Sequence, residues 1–350
     1  MGKRIAIVGA GAVGAYVGGY LTRAGEDITF IDPWPEHVEH MRAHGLTLSG
    51  SSDEECFTTP VQAMHLTEVQ QLARTRGVDI AFVCMKSYDT EWATMLIRDY
   101  LAPGGFVVSL QNCMNEERIA AIVGWTRTVG CIASQIAVEL VGPGDVRRGV
   151  PRGGNAHPVF RVGEPHGRIT RRIEEIAEML SVIDGAKVTS NLWGERWSKL
   201  VANAMRNGLS AATGMSNNEC DREPVTRWLC IRTAGEGVRV GLAQGYELET
   251  IYRFEPEQWL AAAGGDDAVR GEIEAYMQAA AAKRREGMRP SMGQDMLKGR
   301  RTEIDFINGV VASKGAELGI ATPANEAMVR AVKRVERGEV AASLDNVRGI

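Results

Sequence analysis

Residues 5–32 read IAIVGAGAVGAYVGGYLTRAGEDITFID, and the reading of this stretch decides the fold. Ile5 to Val8 is a short apolar run rich in β-branched residues. Gly9-Ala10-Gly11-Ala12-Val13-Gly14 follows, and an apolar helical pattern continues through Leu21. Strand, glycine turn and helix in this order form a dinucleotide-binding fingerprint. Gly9 permits the tight turn, Gly11 lets the backbone approach a pyrophosphate, and Gly14 lets the helix pack closely on the strand. The helix N-terminus adds unpaired N–H groups and a positive dipole end, which suit phosphate oxygens. Gly18 and Gly19 predict close packing of the helix on the sheet.

Asp32 closes the second predicted strand, 18 residues after Gly14. A carboxylate at that place can accept from both adenosine ribose hydroxyls, whereas a 2'-phosphate would meet like charge, so the sequence predicts NAD(H) favoured over NADP(H). A second reading stays open, in which Asp32-Pro33 is simply a turn. Arg23 and Arg42 lie nearby in sequence.

The same alternation continues outward. Strands are predicted at Ile28–Ile31, Ile80–Cys84, Phe106–Leu110 and Val129–Ile136 with helices between them, which gives a mostly parallel, doubly wound α/β sheet. The stretch VGPGDVRRGVPRGGNAHPVFRVGE (141–164) changes to glycine, proline and short β runs, read as hairpin-like strands closing the sheet edge. Beyond GAKVTSNLW (185–193) the patterns are helical, from Trp193, Glu223, Pro256 and Thr302. The expectation is therefore a Rossmann-like domain at 1–187 and an all-helical domain at 188–350, two cores being usual for 350 residues. The alanine-rich EIEAYMQAAAAKRREG (272–287) reads as an exposed helix with a basic last turn.

Composition is that of an ordinary globular chain, 44% hydrophobic and 24% charged with net charge -4. Basic residues are interleaved with acids, which argues against a nucleic-acid or anionic membrane partner and for a small-molecule one. No apolar run reaches membrane-span length, and the first strand begins almost at once, so a cytoplasmic protein is expected. The cysteines at 56, 84, 113, 131, 220 and 230 form no C-x-x-C pair and read as reduced. His37, His40 and His44 stand at helical spacing beside Glu36 and Glu39, but no further ligands close a site; a solvated helix face is expected, and no metal. His65, His157 and His166 suggest no nucleophilic arrangement.

In NLWGERWSKLVANAMRNGLSAATG (191–214) the apolar stripe is Trp193, Trp197, Leu200, Val201 and Ala204. Lys199, Asn203 and Asn207, at i, i+4 and i+8, share one face beside it, with Ser210 near the same face. Amides next to a hydrophobic seam need partners. A polar ligand, solvent or an interface ladder would each supply them. In RPSMGQDMLKGRRTEIDFINGVV (289–311) Ser291 leads one helical segment, and Thr302 is expected to cap another with Glu303 in its first turn. CMKSYDT (84–90), with Lys86, and SLQNCMNEE (109–117), with Gln111 and Asn112, follow predicted strands, where ligands of open α/β sheets lie.

Taken in order, GAGAVGAYVG, MKSYDT, LQNCMNEE, WSKLVANAMRNGLSAATG and SMGQDMLKGRRTEIDFINGVV...GIATPAN resemble the ketopantoate reductase family over nearly the whole chain. The resemblance implies a Rossmann domain followed by a helical domain, and reduction of a 2-oxo acid by a nicotinamide cofactor. It implies Lys199 as catalytic lysine, Glu303 as active-site glutamate and Asn112 beside the reacting centre. Asn203, Asn207 and Asn217 match the substrate-side asparagines, Ser291 the serine near the substrate carboxylate, and Lys86 a lysine of the cofactor-side loop. With Gly9, Ala10, Gly11, Ala12, Val13, Gly14, Asp32 and Asn112 this completes the expected cofactor set; a homodimer is expected.

The chain departs from the family at Cys113, where glycine is usual, at Gly208, where proline is usual, and at Asp32. The segment 247–290 is long, and its Trp259, Leu260 and Tyr276 could line an enlarged pocket. An NAD-dependent catabolic alcohol dehydrogenase for a bulkier, aromatic substrate is the nearest alternative. A non-catalytic dinucleotide sensor is the alternative of another class.

Overall fold

The computed structural model describes residues 2–154 and 157–350; residues 155 and 156, within the glycine- and proline-rich stretch, lie outside the described residues. The chain divides into two units, one up to Leu192 and one from Trp193 onward.

The first unit carries strands β1 (Arg4–Val8), β2 (Asp27–Asp32), β3 (Leu46–Ser49), β4 (Phe57–Thr59), β5 (Gln62–His65), β6 (Val78–Val83), β7 (Leu101–Ser109), β8 (Thr128–Ala133), β9 (Val138–Gly142), β10 (Asp145–Arg148), β11 (Phe160–Gly163) and β12 (Ala186–Thr189). Helices α1 (Ala12–Arg23), α2 (Pro35–His44), α3 (Thr90–Arg98), α4 (Glu116–Val123) and α5 (Arg171–Ser181) connect them. The main sheet runs β12-β11-β8-β7-β6-β1-β2-β5. From β5 through β8 every neighbouring pair is parallel. The strand order reverses between β1 and β6, the switch point outside which open α/β sheets bind ligands. Ile5, Ile7, Phe30, Phe82 and Val108 are fully buried, as a sheet covered by helices on both faces requires.

The helix-packing glycines act as read. A Cβ on Gly18 would meet the Phe30 ring at 2.4 Å, and one on Gly19 would meet Leu48 at 2.9 Å. The expected edge hairpin is placed differently. β9 and β10 pair with each other, but β10 joins β3 in a separate sheet of order β4-β3-β10-β9. β11, antiparallel to β8, and β12 extend the main sheet instead. A buried ion pair anchors the chain after β10: Arg148 donates to Asp184 at 2.6 Å, both side chains being fully buried, and Gly153 and Gly154 donate their N–H groups to the same carboxylate.

The second unit is helical. Its helices are α6 (Leu192–Thr213), which starts at the boundary, α7 (Asn217–Arg222), α8 (Pro224–Ala243), α9 (Pro256–Ala263), α10 (Asp267–Lys283), α11 (Ser291–Leu297), α12 (Asn308–Glu317) and α13 (Pro323–Glu336). Glycines on α8 let α6 approach: a Cβ at Gly237 would meet Val201 at 2.9 Å, and one at Gly241 would meet Trp197 at 2.5 Å. Trp197 donates its indole N–H to the Gly237 carbonyl at 2.8 Å, and Trp197, Leu200, Val201 and Ala204 are buried as the stripe predicts. Buried Glu236 accepts the N–H groups of Ala324 and Asn325, so a carboxylate from α8 caps α13.

In the segment 247–290, Trp259 is buried with its indole N–H on the Ile251 carbonyl. Phe254 packs edge-on against both Trp259 and Tyr276, so these rings serve one another. No helix is long and apolar enough to cross a membrane among the described residues.

Candidate functional site

The glycine loop is built from its backbone outward. Gly9 has φ +100°, a conformation that L side chains rarely adopt, and its N–H donates to the Ile31 carbonyl. A Cβ at Gly14 would lie 2.0 Å from the Gly9 carbonyl oxygen, so only glycine lets α1 start this close to β1. Gly11 differs from both. It has φ -64°, and a Cβ there would meet nothing within 4 Å. The fold therefore makes no demand for glycine at position 11, and the open space beside an uncapped helix N-terminus is a cradle suited to a phosphate.

Asp32 lies under this loop and is 7% exposed. One carboxylate oxygen accepts the Ala10 N–H at 2.7 Å and the other accepts the Trp34 N–H at 2.9 Å. Burial raises its pKa, against the opposing pull of the Trp34 N–H, His37 and the Ala10 N–H. His37 reaches the next peptide group, through the Ala10 carbonyl, and is fully buried, not on a solvated face as its spacing suggested. Its ring stacks on Trp34, with centroids 5.5 Å apart. Its neighbours Val38 and Met41 show that position 37 falls on the inner face of α2. Among the described residues no group of His, Cys, Asp or Glu is arranged to hold a metal ion.

The loops after β6 and β7 lie at the same sheet edge. A Cβ on Gly9 would strike Met85, which puts the glycine loop against the chain just before Lys86. Lys86 is half-buried and begins a 3-10 turn, Ser87–Asp89. Asn115, fully buried, donates to the Ser87 hydroxyl and to the Asn112 carbonyl, and Arg118 donates to the Ser87 carbonyl and to Asn115. Lys86 and Asn112 are thus held on stitched neighbouring loops. The spacing of Asn115 and Arg118, i and i+3 at the start of a helix, was the only sequence signal for them, and it was missed. Cys113 has φ +69°, which explains why a family would prefer glycine there.

In the helical unit, Lys199 and Asn203 are half-buried and Asn207 is 3% exposed. The side chains of Asn203 and Asn207 have no hydrogen-bond partner among the described residues. Ser210 is occupied, donating to the Met215 carbonyl. A Cβ on Gly208 would meet Met328 at 2.6 Å, so this position is closely packed between α6 and α13.

Ser291 opens α11, and a Cβ on Gly293 would lie 2.3 Å from the Ser210 hydroxyl, so glycine seats this helix against the end of α6. Asn217 donates its backbone N–H to the Met288 carbonyl, and Arg289 holds the Gly214 carbonyl through two N–H groups. Asn217 and Ser291 are thereby drawn to the C-terminal end of α6; Arg289 had no sequence signal.

Glu303 is buried but not in a helical first turn. It precedes the 3-10 turn Ile304–Phe306, while α12 starts at Asn308. The expected Thr302 cap is absent: its backbone N–H is tied to Glu336, and its hydroxyl has no partner among the described residues. Asn308, fully buried, instead ties the start of α12 to the Ala204 carbonyl, one residue from Asn203.

Two family models match this chain, "Ketopantoate reductase PanE/ApbA" over residues 5–153 and "Ketopantoate reductase PanE/ApbA C terminal" over residues 191–336. The 2-dehydropantoate 2-reductase of Archaeoglobus fulgidus is 29% identical, covering 96% of this chain and 99% of that protein. The solved 2-dehydropantoate 2-reductase of Geobacter metallireducens GS-15 is 30% identical with TM-score 0.77, covering 95% of this chain and 99% of that one. D-mandelate dehydrogenase with NADH and anilino(oxo)acetate shares the fold at 23% identity and TM-score 0.78, covering 96% and 98%. Fold and relatives define an NAD(P)-dependent oxidoreductase acting on CH–OH groups. The chain belongs to the ketopantoate reductase family.

This overturns the expectation that NAD(H) is favoured over NADP(H). The curated relatives are 2-dehydropantoate 2-reductases, which point to NADP(H). The physical reason for the misreading is the state of Asp32. Its carboxylate is buried and committed to two backbone N–H groups, that of Trp34 in its own turn and that of Ala10 in the glycine loop, which is nearer the turn reading than the ribose reading. Arg23 and Arg42 are engaged elsewhere, Arg23 on the Glu54 carbonyl and the Phe57 ring, Arg42 on Glu39, Glu68 and the Ala63 carbonyl.

Proposed function

We propose that this chain interconverts a small 2-oxo acid and its 2-hydroxy acid with NADP(H), Lys199 acting as general acid and base. The observation that carries this reading is the α6 face, where Lys199 shares a stripe with Asn203 and the 3%-exposed Asn207, two amides without a side-chain partner among the described residues. Amides beside an apolar seam that make no side-chain hydrogen bond within the protein are left available to a bound polar ligand. In this reading the unit up to Leu192 serves the dinucleotide and the unit from Trp193 the substrate, the boundary expected at 187/188 falling inside β12.

The residues that would hold the cofactor are the loop Gly9, Ala10, Gly11, Ala12, Val13 and Gly14, with Lys86 and Asn112 from the neighbouring loops; the cradle at Gly11 fits a pyrophosphate. When bound, the cofactor supplies or accepts hydride. The chain's own residues handle the oxygen. As negative charge develops on the ketone oxygen, the Lys199 ammonium stabilises it and transfers a proton to it; in the other direction neutral Lys199 removes the hydroxyl proton. Asn112 and Asn203 orient the reacting carbonyl, Asn207 and Asn217 bind the polar groups beside it, and Ser291 donates to the carboxylate. Glu303 accepts from a substrate hydroxyl and favours the charged form of the lysine.

The test is a panel of 2-oxo acids, beginning with 2-dehydropantoate and extending to aryl and branched analogues, assayed with NADPH by nicotinamide absorbance. Turnover of at least one acid is expected, with the corresponding amides much poorer. NADPH binding without turnover of any acid would point to a sensor instead.

A further inference from the structure

We infer that His37 is a positioning residue for the cofactor, clamping the glycine loop in its binding shape; the inference rests on the cofactor role of that loop and not on the substrate assigned above. The ring bridges two backbone groups. Nε2 lies 2.8 Å from the Ala10 carbonyl oxygen, and Nδ1 lies 2.9 Å from the Gly144 N–H, in the turn between β9 and β10. The partners fix the proton without ambiguity. A backbone N–H can only donate, so Nδ1 is bare; a carbonyl can only accept, so Nε2 carries the hydrogen. The ring is therefore neutral and in a single tautomer.

The clamp has two jaws. Asp32 takes the Ala10 N–H at 2.7 Å and His37 takes the Ala10 C=O, so the peptide groups on both sides of Ala10 are fixed from below by β2 and α2. Fixing Ala10 fixes the direction of the next backbone groups, Gly11 to Val13, which begin α1 and face the open space at Gly11. A loop held in its bound shape before the ligand arrives loses less conformational freedom on binding. His37 spends both nitrogens on backbone and touches no ligand itself, so its effect reaches the cofactor only through Ala10. The Gly144 bond also ties the loop to the smaller sheet, where β10 pairs with β3.

The experiment measures NADPH dissociation constants by quenching of tryptophan fluorescence, together with Tm, KM for NADPH and kcat, for His37→Leu, His37→Gln and His37→Asn. Leucine removes both bonds and should weaken NADPH binding about tenfold or more, with KM for NADPH rising far more than kcat falls. The glutamine amide reaches the place of Nε2 and can still donate to the Ala10 carbonyl. Asparagine reaches only the place of Nδ1, satisfying Gly144 and leaving Ala10 bare. Affinity should therefore fall in the order wild type, glutamine, asparagine. If the leucine variant does not fold, the glutamine and asparagine pair decides alone. Equal NADPH affinity in those two variants, or wild-type affinity in a folded leucine variant, overturns the inference. Because binding is read directly, a wrong substrate assignment would show as absent turnover with this order of affinities intact.

Discussion

The glycine loop and the amide face of α6 treat polar groups in opposite ways. At the loop the protein satisfies itself: the N–H and C=O of Ala10 are both taken, by Asp32 and His37, before any ligand is present. On α6, Asn203 and Asn207 lie beside a packed seam with no side-chain partner among the described residues. The first arrangement spends polar side chains on shape, and the second holds them in reserve. The two should therefore respond differently to substitution. Loop residues link ligand binding to stability, whereas the α6 residues trade one against the other.

The largest effect expected is on the chemical step. Lys199→Ala should lower kcat by about 100- to 10,000-fold, the usual worth of a general acid, while Tm and the NADPH dissociation constant stay close to wild type. A fall in Tm with only a modest loss of kcat would make Lys199 a structural residue and not a general acid.

Asn207→Leu sharpens it from the other side. Asn207 makes no side-chain hydrogen bond among the described residues, so an apolar side chain of similar size breaks none. Tm of the leucine variant should stay level or rise, by about 2–4 °C per kcal/mol for a unit of this size. Catalytic efficiency on the 2-oxo acid should fall about 10- to 100-fold through the lost ligand bond. A drop in Tm would mean that Asn207 is structural and that α6 resembles the loop after all.

The sequence carried most of this, and its failures have a common cause. Of the parallel strands, β1, β2, β6, β7 and β8 were legible because an apolar, β-branched run is a local signal, whereas β5 at the sheet edge was not read. The smaller sheet was not, since Asp145 pairs with Thr47 far earlier in the chain and no local pattern announces that partner. The same holds at the site. Glycine roles are backbone properties and were read correctly at Gly18 and Gly19, whereas the role of Asp32 depends on which donors reach its two oxygens. Spacing from Gly14 located the residue but left those donors unknown, and the cofactor inference built on that spacing failed. His37 was misplaced for a related reason: a histidine beside glutamates suggests solvent, yet its i+4 neighbour Met41 is buried, and that periodicity was the stronger signal. Thr302 looked like a cap by residue type, but its N–H is held by Glu336 from α13, a tertiary contact.

The smallest expected effect separates the two uses of glycine within the loop itself. A Cβ at position 14 would stand 2.0 Å from the Gly9 carbonyl oxygen, a distance no relaxation of a side chain can relieve, because the obstructing atom is backbone. Gly14→Ala should force α1 away from β1 and lower stability and NADPH affinity together. At position 11 φ is -64° and a Cβ would meet nothing within 4 Å, so Gly11→Ala asks nothing of the fold. Alanine there also narrows the unfolded ensemble, a gain of about 0.4–1 kcal/mol. What it can disturb is the ligand, since the added methyl enters the space left open for the pyrophosphate. Gly11→Ala should therefore keep or slightly raise Tm and weaken NADPH binding by about three- to tenfold, a loss of about 0.7–1.4 kcal/mol. Fluorescence titration and thermal unfolding of the same preparation measure both quantities. Undiminished NADPH affinity in Gly11→Ala would show that the cradle at position 11 is not where the phosphates lie, and the loop would then be read as a device of shape alone.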